Sequence, residues 1–298
     1  MSLTLCFVLF STAFALTFAL AFLVRRWFPK WGLMDRPERY GHKRSPIPYP
    51  GGVALVLGFL VTALSFLSLN TLLGSVLLAV VLLAVTCFWD DRRGLSPYLR
   101  LAIQIVAAIL LVLGGLGVSS ITNPFGGAPF VLDAWQIPIT LDHLTFTFTV
   151  FADLLTIVWV VTMVNAFNWI DGVPGMASGL SSVAAFVLLA LSLRPGFHST
   201  DQTLAVAFSA MLLGVSLAFL YWDFPKPKML MGDTGSMVLG FLLAVTALIS
   251  GGKIATTVLV LGFPLLDFAW VIGRSLVKGQ SPCRGDLWHF HHRVQKAG

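Results

Sequence analysis

The stretch that decides the fold is residues 229–250, MLMGDTGSMVLGFLLAVTALIS, in which a polar turn leads into an unbroken apolar run. The apolar run predicts a membrane-spanning helix over residues 235–250. Asp233 or Thr234 could cap the first turn of this helix, where backbone N–H groups lack helical partners. The turn could instead bind an anion, with Asp233 holding a metal ion that bridges phosphates. The turn by itself leaves both interpretations open.

The composition excludes a water-soluble globular protein. Of the 298 residues, 57% are hydrophobic and only 11% are charged, which is too little polar surface to cover a globule. Because a helix needs about 20 apolar residues to cross the hydrocarbon core, the apolar runs predict an all-α polytopic membrane protein with about nine transmembrane helices. The predicted spans are residues 3–24, 51–69, 71–88, 99–118, 150–168, 175–193, 202–222, 235–250 and 254–273.

The basic residues predict how the chain is oriented. The first span has no basic residue before it and is followed by Arg25 and Arg26, which predicts a retained anchor with the N-terminus outside. The C-terminus is then inside, and every Lys and Arg except Arg194 and Lys253 lies on the inner side. The net charge of +6 follows from this asymmetry and from contacts with anionic headgroups. We therefore predict no nucleic-acid partner.

Residues 1–298 are predicted to form a single integral membrane domain. Its longest segment on the outer side is the loop 119–149, which alternates polar and apolar residues between turn-forming residues. This pattern predicts an extracytoplasmic β-hairpin.

Two adjacent acids, Asp90 and Asp91, end the third span on the inner side. Two carboxylates 4 Å apart repel by about 4 kcal/mol at an effective dielectric constant near 20, so the pair is costly unless a cation or proton is shared. A base or cation site is one interpretation. A polar turn neutralised by Arg92 and Arg93 is the other. Because successive helical residues point about 100° apart, we expect only one acid to face a substrate directly.

Asn165, Asn168 and Asp171 follow one another at intervals of three, which places them on one helical face at the inner end of the fifth span. Amide and carboxylate oxygens arranged in this way suit Mg²⁺. The alternative is that the Asn side chains bond to neighbouring helices and that Asp171-Gly172 forms a turn. Both interpretations stay open.

The last inner segment contains the run His-Phe-His-His-Arg at residues 289–293. A Zn²⁺ site could use such histidines, but no Cys or Glu completes a zinc-like spacing, so phosphate binding is favoured. In the preceding span, Asp267 is an intramembrane acid and therefore a candidate functional residue. Pairing of Asp267 with Arg274 is the structural alternative.

Taken together, these motifs resemble the polyprenyl-phosphate N-acetylhexosamine-1-phosphate transferase superfamily (glycosyltransferase family 4), which includes the phospho-MurNAc-pentapeptide translocase. The resemblance covers most of the chain, in the family's order and on one side of the membrane. The segments that carry it are Asp90-Asp91-x-x-Gly94-Leu95-Ser96-x-x-x-Arg100-Leu101-x-x-Gln104, Met231-Gly232-Asp233-Thr234-Gly235-Ser236, Pro264-x-x-Asp267, and Gly279-x-Ser281-Pro282-x-x-x-Asp286-x-x-His289-x-His291-His292-Arg293. The His-x-His-His-Arg ending resembles the branch that builds surface polysaccharides.

The resemblance implies transfer of an N-acetylhexosamine 1-phosphate from a UDP-sugar to a polyprenyl phosphate, with release of UMP. It implies a requirement for Mg²⁺ or, alternatively, Mn²⁺, and a multi-pass protein of the bacterial cytoplasmic membrane. Polyprenyl phosphate and a nucleotide sugar are the implied partners, and a homodimer is compatible with the resemblance. The implied roles are catalysis for Asp90, Asp91 and Asp171, metal binding for Asn168 and Asp233, and substrate binding for Asn165, Lys43, Asp267, His289, His291, His292 and Arg293.

The chain departs from the family pattern at two positions linked with the nucleotide. Pro174 stands where the family often has a second Asp, and Asp223 stands where an Asn usually precedes the metal loop by ten residues. The chain also ends soon after Arg293, where relatives usually continue, so we expect the family's last spans to be missing.

Four other functions compete with this reading. A secondary transporter would place its binding residues at mid-membrane within repeated halves, and neither feature is visible here. A translocase-type transferase would use the same machinery on a different sugar. A CDP-alcohol phosphotransferase would carry an acidic repeat that this chain lacks. A catalytically dead scaffold is compatible with the departures from the family pattern.

Overall fold

The computed structural model describes residues 2–40, 44–118, 120–121, 128, 130–141, 144–194, 201–251 and 254–277. In this part of the chain the backbone is mainly helical, with short 3-10 helices at Phe28–Trp31 and Pro37–Tyr40. The α-helices are α1 (Leu3–Trp27), α2 (Gly52–Phe66), α3 (Thr71–Arg93), α4 (Pro97–Leu113), α5 (Val150–Ile170), α6 (Met176–Ser192), α7 (Thr203–Asp223), α8 (Asp233–Ile249), α9 (Ile254–Val260) and α10 (Gly262–Val277).

The turn between α3 and α4 shows how local sequence sets the helix boundaries. Gly94 follows α3 at a φ of 76°, a left-handed conformation that glycine adopts without a steric penalty. Ser96 then caps α4 by accepting a hydrogen bond from the N–H of Leu99 at 3.2 Å, and Pro97 occupies the first helical position. These residues place the start of α4 beside the end of α3.

Helix α8 forms the centre of the bundle. All of its residues from Thr234 to Leu248 are buried, and it packs against α2, α3, α5, α6 and α7. A helix that is apolar on every side is expected in such a buried position. Helix α8 is therefore the core of the molecule, and the surrounding helices hold the polar turn that precedes it.

The described part of the chain contains four helical segments that are long and apolar enough to cross a membrane: Leu3–Trp31, Thr71–Arg93, Val150–Ile170 and Thr203–Asp223. Helices α2, α4, α6 and α8 are apolar but shorter. The predicted ninth span, residues 254–273, is split at Leu261 into α9 and α10. Pro264 explains the split, because it has no N–H to donate to the carbonyl of Val260.

Two small antiparallel sheets lie between α4 and α5. Strand β1 (Ser120–Ile121) pairs with β2 (Phe130–Val131), and β3 (Gln136–Leu141) pairs with β4 (Leu144–Thr149). The second pair runs in register from Gln136↔Thr149 to Leu141↔Leu144, which is the geometry of a hairpin.

The polar turns meet at one end of the bundle. Side chains or backbone at the ends of α3 and α5 contact the start of α8, and so do the starts of α2 and α4. We call this the site end. Among the described residues, the motifs around Asp90, Asn168 and Asp233 come together at this end.

Candidate active site

Asp91, near the end of α3, caps the first turn of α8. Its Oδ1 accepts a hydrogen bond from the N–H of Asp233 at 2.9 Å, and its Oδ2 accepts from the N–H and hydroxyl of Thr234 at 3.0 and 2.6 Å. The hydroxyl of Tyr49 donates to the same Oδ1 at 2.5 Å. The expectation that Asp233 or Thr234 caps α8 is wrong, because Gly232 is the cap residue and the capping carboxylate comes from another helix. That carboxylate satisfies two helical N–H groups and is favoured by the helix dipole.

Asp90 contacts a different set of donors. Its Oδ1 accepts from the N–H of Leu95, which closes the turn after α3, and its Oδ2 lies 3.1 Å from Nη1 of Arg100. The same Nη1 lies 2.8 Å from Oδ2 of Asp233. Asp90 and Asp91 therefore point to separate partners, and the Arg100 guanidinium compensates the charges of Asp90 and Asp233.

Asn168, on the last turn of α5, holds Asp233 from the other side. Its amide donates to Oδ1 of Asp233 at 2.7 Å and to the hydroxyl of Ser236 at 3.3 Å. Asp233 thus contacts Arg100 through one oxygen and Asn168 through the other. Two helices fix its carboxylate at the N-terminus of α8.

Asn165 lies one turn deeper in α5 and does not reach this cluster. Its amide donates to Oε1 of Gln104 on α4 at 2.6 Å and to the carbonyl of Val161 at 2.8 Å. Gln104 is buried and returns a longer hydrogen bond to Oδ1 of Asn165 at 3.4 Å. The structure therefore gives Asn165 the role of joining α4 to α5, which was the alternative interpretation of the Asn motif.

The segment 48–52 docks directly on the turn before α8. Leu230 donates its N–H to the carbonyl of Pro48, while Gly51 and Gly52 donate to the carbonyls of residues 230 and 231 at 2.6 and 2.8 Å. A Cβ atom at Gly52 would lie 2.3 Å from the Cα of Gly235, so only glycine permits this approach. This docking carries Tyr49 to Asp91.

Asp171 and Asp223, at the ends of α5 and α7, form a second pair of acids near the α8 start. Asp223, at the end of α7, is buried and accepts from the N–H of Gly175 at 2.9 Å and the hydroxyl of Ser178 at 3.0 Å. Burial raises the pKa of Asp171 well above its usual range, and the negative charges of Asp223, Asp233 and Asp91 raise it further. A hydrogen bond from the backbone of Gly232 opposes that rise.

These contacts bring the two departures from the family pattern together. Asp223 is bonded to Gly175, the residue next to Pro174. Pro174 cannot carry a carboxylate, and the carboxylate of Asp223 reaches the same turn from α7. The two departures are therefore neighbours in space.

A polar cavity of 620 Å³ opens at the site end. Its walls are the loop before α2, the end of α3 and the start of α4, and Asp233 lies among its lining residues. It is lined by Gly32, Leu33, Met34, Asp35, Arg36, Tyr49, Asp90, Asp91, Arg92, Arg93, Gly94, Arg100, Leu230 and Asp233. Four acids and four arginines around one opening suit a charged ligand that carries a cation.

The oxygen ligands at this end fit a hard divalent cation such as Mg²⁺. Within the described residues no three His, Cys, Asp or Glu side chains come together as a complete metal cage. Mg²⁺ does not need such a cage, since it is usually bound by one or two carboxylates together with waters and substrate phosphates. Asp233, open to the cavity with 24% of its side chain exposed, is the carboxylate that meets this requirement.

The structure brings together Asp90, Asp91, Asn168, Asp171 and Asp233 from the predicted site. It does not bring Asn165 or Asp267 to the cavity. Asp267 is buried on α10, which packs against α5 where the rings of Phe268 and Trp169 lie 4.7 Å apart. The remaining predicted site residues lie outside the described part of the chain: Lys43, His289, His291, His292 and Arg293.

Sequence reasoning missed the roles of Tyr49, Arg100 and Gln104. Arg100 and Gln104 belong to the motif that begins at Asp90, and their spacing of four puts both on one face of α4. That spacing could have revealed them as partners of the acids and amides. No local signal singles out Tyr49, whose partner is 42 residues away.

Comparison with known proteins identifies the family. Glycosyl transferase family 4 matches this chain over residues 73–251, which is more than half of its length. The chain belongs to glycosyl transferase family 4. The matched segment contains α3 to α8, and with them every charged or amide side chain of the cluster around Asp233.

Curated relatives agree with this membership. A probable undecaprenyl-phosphate N-acetylglucosaminyl 1-phosphate transferase of Bacillus subtilis is 28% identical over 93% of this chain and 73% of its own length. A decaprenyl-phosphate N-acetylglucosaminephosphotransferase of Mycobacterium tuberculosis and an undecaprenyl-phosphate alpha-N-acetylglucosaminyl 1-phosphate transferase of Salmonella typhi are each 30% identical, over 96% of this chain and 75% of their own. Membership of this family excludes the secondary transporter and the CDP-alcohol phosphotransferase considered above.

Proposed function

We propose that this protein transfers an N-acetylhexosamine 1-phosphate from a UDP-sugar to a polyprenyl phosphate, as the first membrane step of cell-surface polysaccharide synthesis. One observation carries the proposal. Asp233 is held by Arg100 and Asn168 at the N-terminus of α8, beside Asp90 and Asp91, in a polar cavity at the end of an apolar bundle. A water-borne donor and a lipid acceptor can meet at such a place. The printed names of the relatives make N-acetylglucosamine the first sugar to test.

The proposed reaction is a phosphoryl transfer. An oxygen of the acceptor phosphate forms a bond to the donor phosphorus that bears the sugar, and the bond from that phosphorus to the bridging oxygen breaks. UMP leaves with the bridging oxygen, and the product is a polyprenyl-diphosphate sugar. Such a reaction requires mainly positioning and charge neutralisation from the protein.

We propose a separate role for each acid in this reaction. Asp91 accepts from the hydroxyl of Tyr49 and from the N–H groups of the first turn of α8, so we assign it to holding the start of α8 in place. Asp90 has the Arg100 guanidinium as its charged partner at the cavity, and we assign it to orienting or deprotonating the acceptor phosphate. We assign Asp171 to supporting the metal site or the base.

Asp233 and Asn168 are the residues that would hold Mg²⁺, with Mn²⁺ as a substitute. When bound, the ion would neutralise the pyrophosphate of the donor. His291, His292 and Arg293 are proposed to stabilise charge on the same group, and Arg100 adds a permanent positive charge.

The membrane arrangement is part of the proposal. Nine spans, with the N-terminus outside, place the site end on the inner side of the bacterial cytoplasmic membrane, where UDP-sugars are made available. A homodimer is the assembly we propose. The positions of the basic residues support the orientation.

A reconstitution tests the reaction. Purified protein in detergent is incubated with undecaprenyl phosphate, Mg²⁺ and a panel of UDP-sugars, and both UMP and lipid-linked sugar are measured. We expect equal amounts of UMP and lipid product with at least one UDP-N-acetylhexosamine, and no product with EDTA. Absence of both products across the panel would overturn the proposal.

Labelling with a membrane-impermeant maleimide tests the orientation. Lys226 and Asp201 are both exposed, and they lie at opposite ends of α7. We expect Asp201→Cys to react from outside intact cells and Lys226→Cys to react only after permeabilisation, each compared with the unsubstituted protein. The reverse pattern would contradict the orientation.

A further inference from the structure

The cavity has a rim of arginines that the reaction described above does not use. Arg36 belongs to the loop before α2, while Arg92 and Arg93 end α3, and all three line the cavity. The rim therefore presents positive charge from two independent parts of the chain.

These arginines carry uncompensated charge. In the part of the chain that the structure describes, none of the three lies within 4 Å of a carboxylate oxygen. The nearest acid in sequence to Arg36 is Asp35, which is bound instead by Arg44 at 2.5 Å. Arg100 differs from them, because Asp90 and Asp233 compensate its charge.

Aromatic side chains hold two of these arginines along the helix surface. The guanidinium carbon of Arg93 lies 4.3 Å from the centre of the Trp89 ring, and that of Arg92 lies 5.9 Å from the Phe88 ring. Such contacts orient the guanidinium groups and leave their N–H donors available. The donors can therefore bind an anion without first breaking an ion pair.

Exposed aromatic side chains lie close in sequence to the residues that line this cavity. Trp31 and Trp89 expose 62% and 49% of their surface, and Tyr98 exposes 70%. Trp31 precedes the lining residue Gly32, and Tyr98 lies two residues before Arg100. Exposed Trp and Tyr side chains at the ends of apolar helices mark the level of the membrane interface. The rim is therefore expected to lie at the level of the membrane interface, where the phosphate of a lipid can reach it.

We propose that Arg36, Arg92 and Arg93 form a binding subsite for the phosphomonoester head of the polyprenyl acceptor, separate from the residues that bind the donor. This inference rests on the proposed function. A phosphomonoester offers up to two negative charges and three acceptor oxygens, which suit several guanidinium groups at once. Asp90 lies at the same wall of the cavity, so an acceptor bound by the rim is brought to the acid assigned to it.

A competing explanation is that these arginines only face anionic headgroups, as juxtamembrane basic residues generally do. The chain offers a matched control in Arg25 and Arg26. They form an equivalent pair in the last turn of α1 but do not line the cavity. Removing either pair lowers the juxtamembrane charge equally.

The experiment compares steady-state kinetics of the full-length protein in detergent micelles. For Arg92→Ala/Arg93→Ala we expect KM for undecaprenyl phosphate to rise about tenfold or more, with KM for the UDP-sugar changed less than twofold. Arg36→Ala should produce the same selective change. The Lys double variant should recover part of the affinity, and Arg25→Ala/Arg26→Ala should leave both KM values unchanged. Equal effects of the two arginine pairs, or equal changes in both KM values, would overturn the subsite.

A binding measurement keeps this inference separate from the proposed reaction. Thermal stabilisation of wild type and variants is measured with undecaprenyl phosphate, undecaprenol, phosphatidylglycerol and inorganic phosphate. We expect stabilisation of wild type by undecaprenyl phosphate alone, and its loss in Arg92→Ala/Arg93→Ala but not in Arg25→Ala/Arg26→Ala. Stabilisation by phosphatidylglycerol or inorganic phosphate to the same degree would overturn the acceptor assignment. If wild type binds undecaprenyl phosphate through the rim yet forms no product with any UDP-sugar, the proposed function fails while the subsite stands.

Discussion

The acids near the start of α8 form two groups with different partners: those that line the cavity and those that do not. On the cavity side, Asp90 and Asp233 share the guanidinium of Arg100, so their charges are compensated within the protein. In the other group, Asp171 and Asp223 form no ion pair within the described residues, and Asp223 is held by an N–H and a hydroxyl. Even with Arg100 beside it, Asp233 has its pKa raised to about 7 by burial and by the neighbouring charge of Asp91, so a cation bound at the cavity would favour its ionised form. Uncompensated acids are better suited to holding a turn, or to receiving a cation from elsewhere.

The same substitution, Asp to Asn, in each group of acids is the strongest test of this difference. Asp233→Asn removes the charge that meets Arg100 and would hold the metal, and we expect kcat to fall by roughly 10³-fold or more. Asp223→Asn keeps an oxygen that can accept from Gly175 and Ser178, so kcat should stay within about threefold of wild type. Product formation under saturating substrates measures both. Equal losses would show that the two groups do not differ in the way described.

A smaller effect is expected from Asp91→Asn, which changes positioning and leaves Asp233 in place. The amide presents one oxygen where the carboxylate presents two, so at least one donor among Tyr49, Asp233 and Thr234 loses its partner. We expect kcat to fall by about 10²-fold and the protein to lose about 1–3 kcal/mol of stability.

Thermal unfolding in detergent, followed beside the activity assay, checks the Asp91 prediction. Asp153→Asn serves as control, because Asp153 accepts a single described hydrogen bond, from the N–H of Thr149. A variant with normal stability and lost activity would indicate that Asp91 acts on the substrate directly.

Tyr49→Phe should have a moderate effect. The change removes one hydroxyl that donates to Asp91 and leaves the ring in place. We expect kcat to fall by about three- to tenfold, in line with about 1 kcal/mol for one hydrogen bond, and KM for both substrates to stay unchanged.

Tyr98→Phe is the matched control for Tyr49, since Tyr98 is 70% exposed and is not among the residues that line the cavity. Similar losses of kcat in the two variants would show that the effect of Tyr49→Phe does not come from its hydrogen bond to Asp91.

The smallest effect on activity is expected at Asn165, which joins helices away from the cavity. Asn165→Ala leaves buried Gln104 without its short hydrogen bond, and we expect a loss of about 1–2 kcal/mol in stability with unchanged KM values. Kinetics at a temperature well below the unfolding transition, together with a melting curve, separates the two quantities. A selective rise in the KM for one substrate would instead support the predicted substrate-binding role of Asn165.

Much of the site could be predicted because the residues that carry charge are rare in this chain. Acids at helix ends, such as Asp90, Asp91 and Asp233, are conspicuous beside long apolar runs. Because successive spans cross the membrane in alternating directions, the sequence predicts these acids on one side. The sequence could not say which donor each acid would find. Asp90 and Asp91 are adjacent, yet one contacts Arg100 and the other caps α8.

The ends of several predicted spans differ from the helix ends in the structure. Helices α2 and α4 end at Phe66 and Leu113, short of the predicted boundaries at residues 69 and 118, and the ninth predicted span is two helices. Hydropathy indicates how long an apolar run is, but not the residue at which the helical backbone hydrogen bonds end. A buried helix such as α8 need not match the thickness of the hydrocarbon core.

The sequence by itself determined that this is a helical membrane protein and which family it belongs to, because composition, hydropathy and motif spacing are properties of the chain alone. Only the tertiary structure decided that Asp91 caps α8, that Arg100 joins Asp90 to Asp233, and that Tyr49 and Arg36 reach the same cavity. Hydrogen bonds and ion pairs form between atoms about 3 Å apart, and residues distant in sequence reach that separation only when the helices pack.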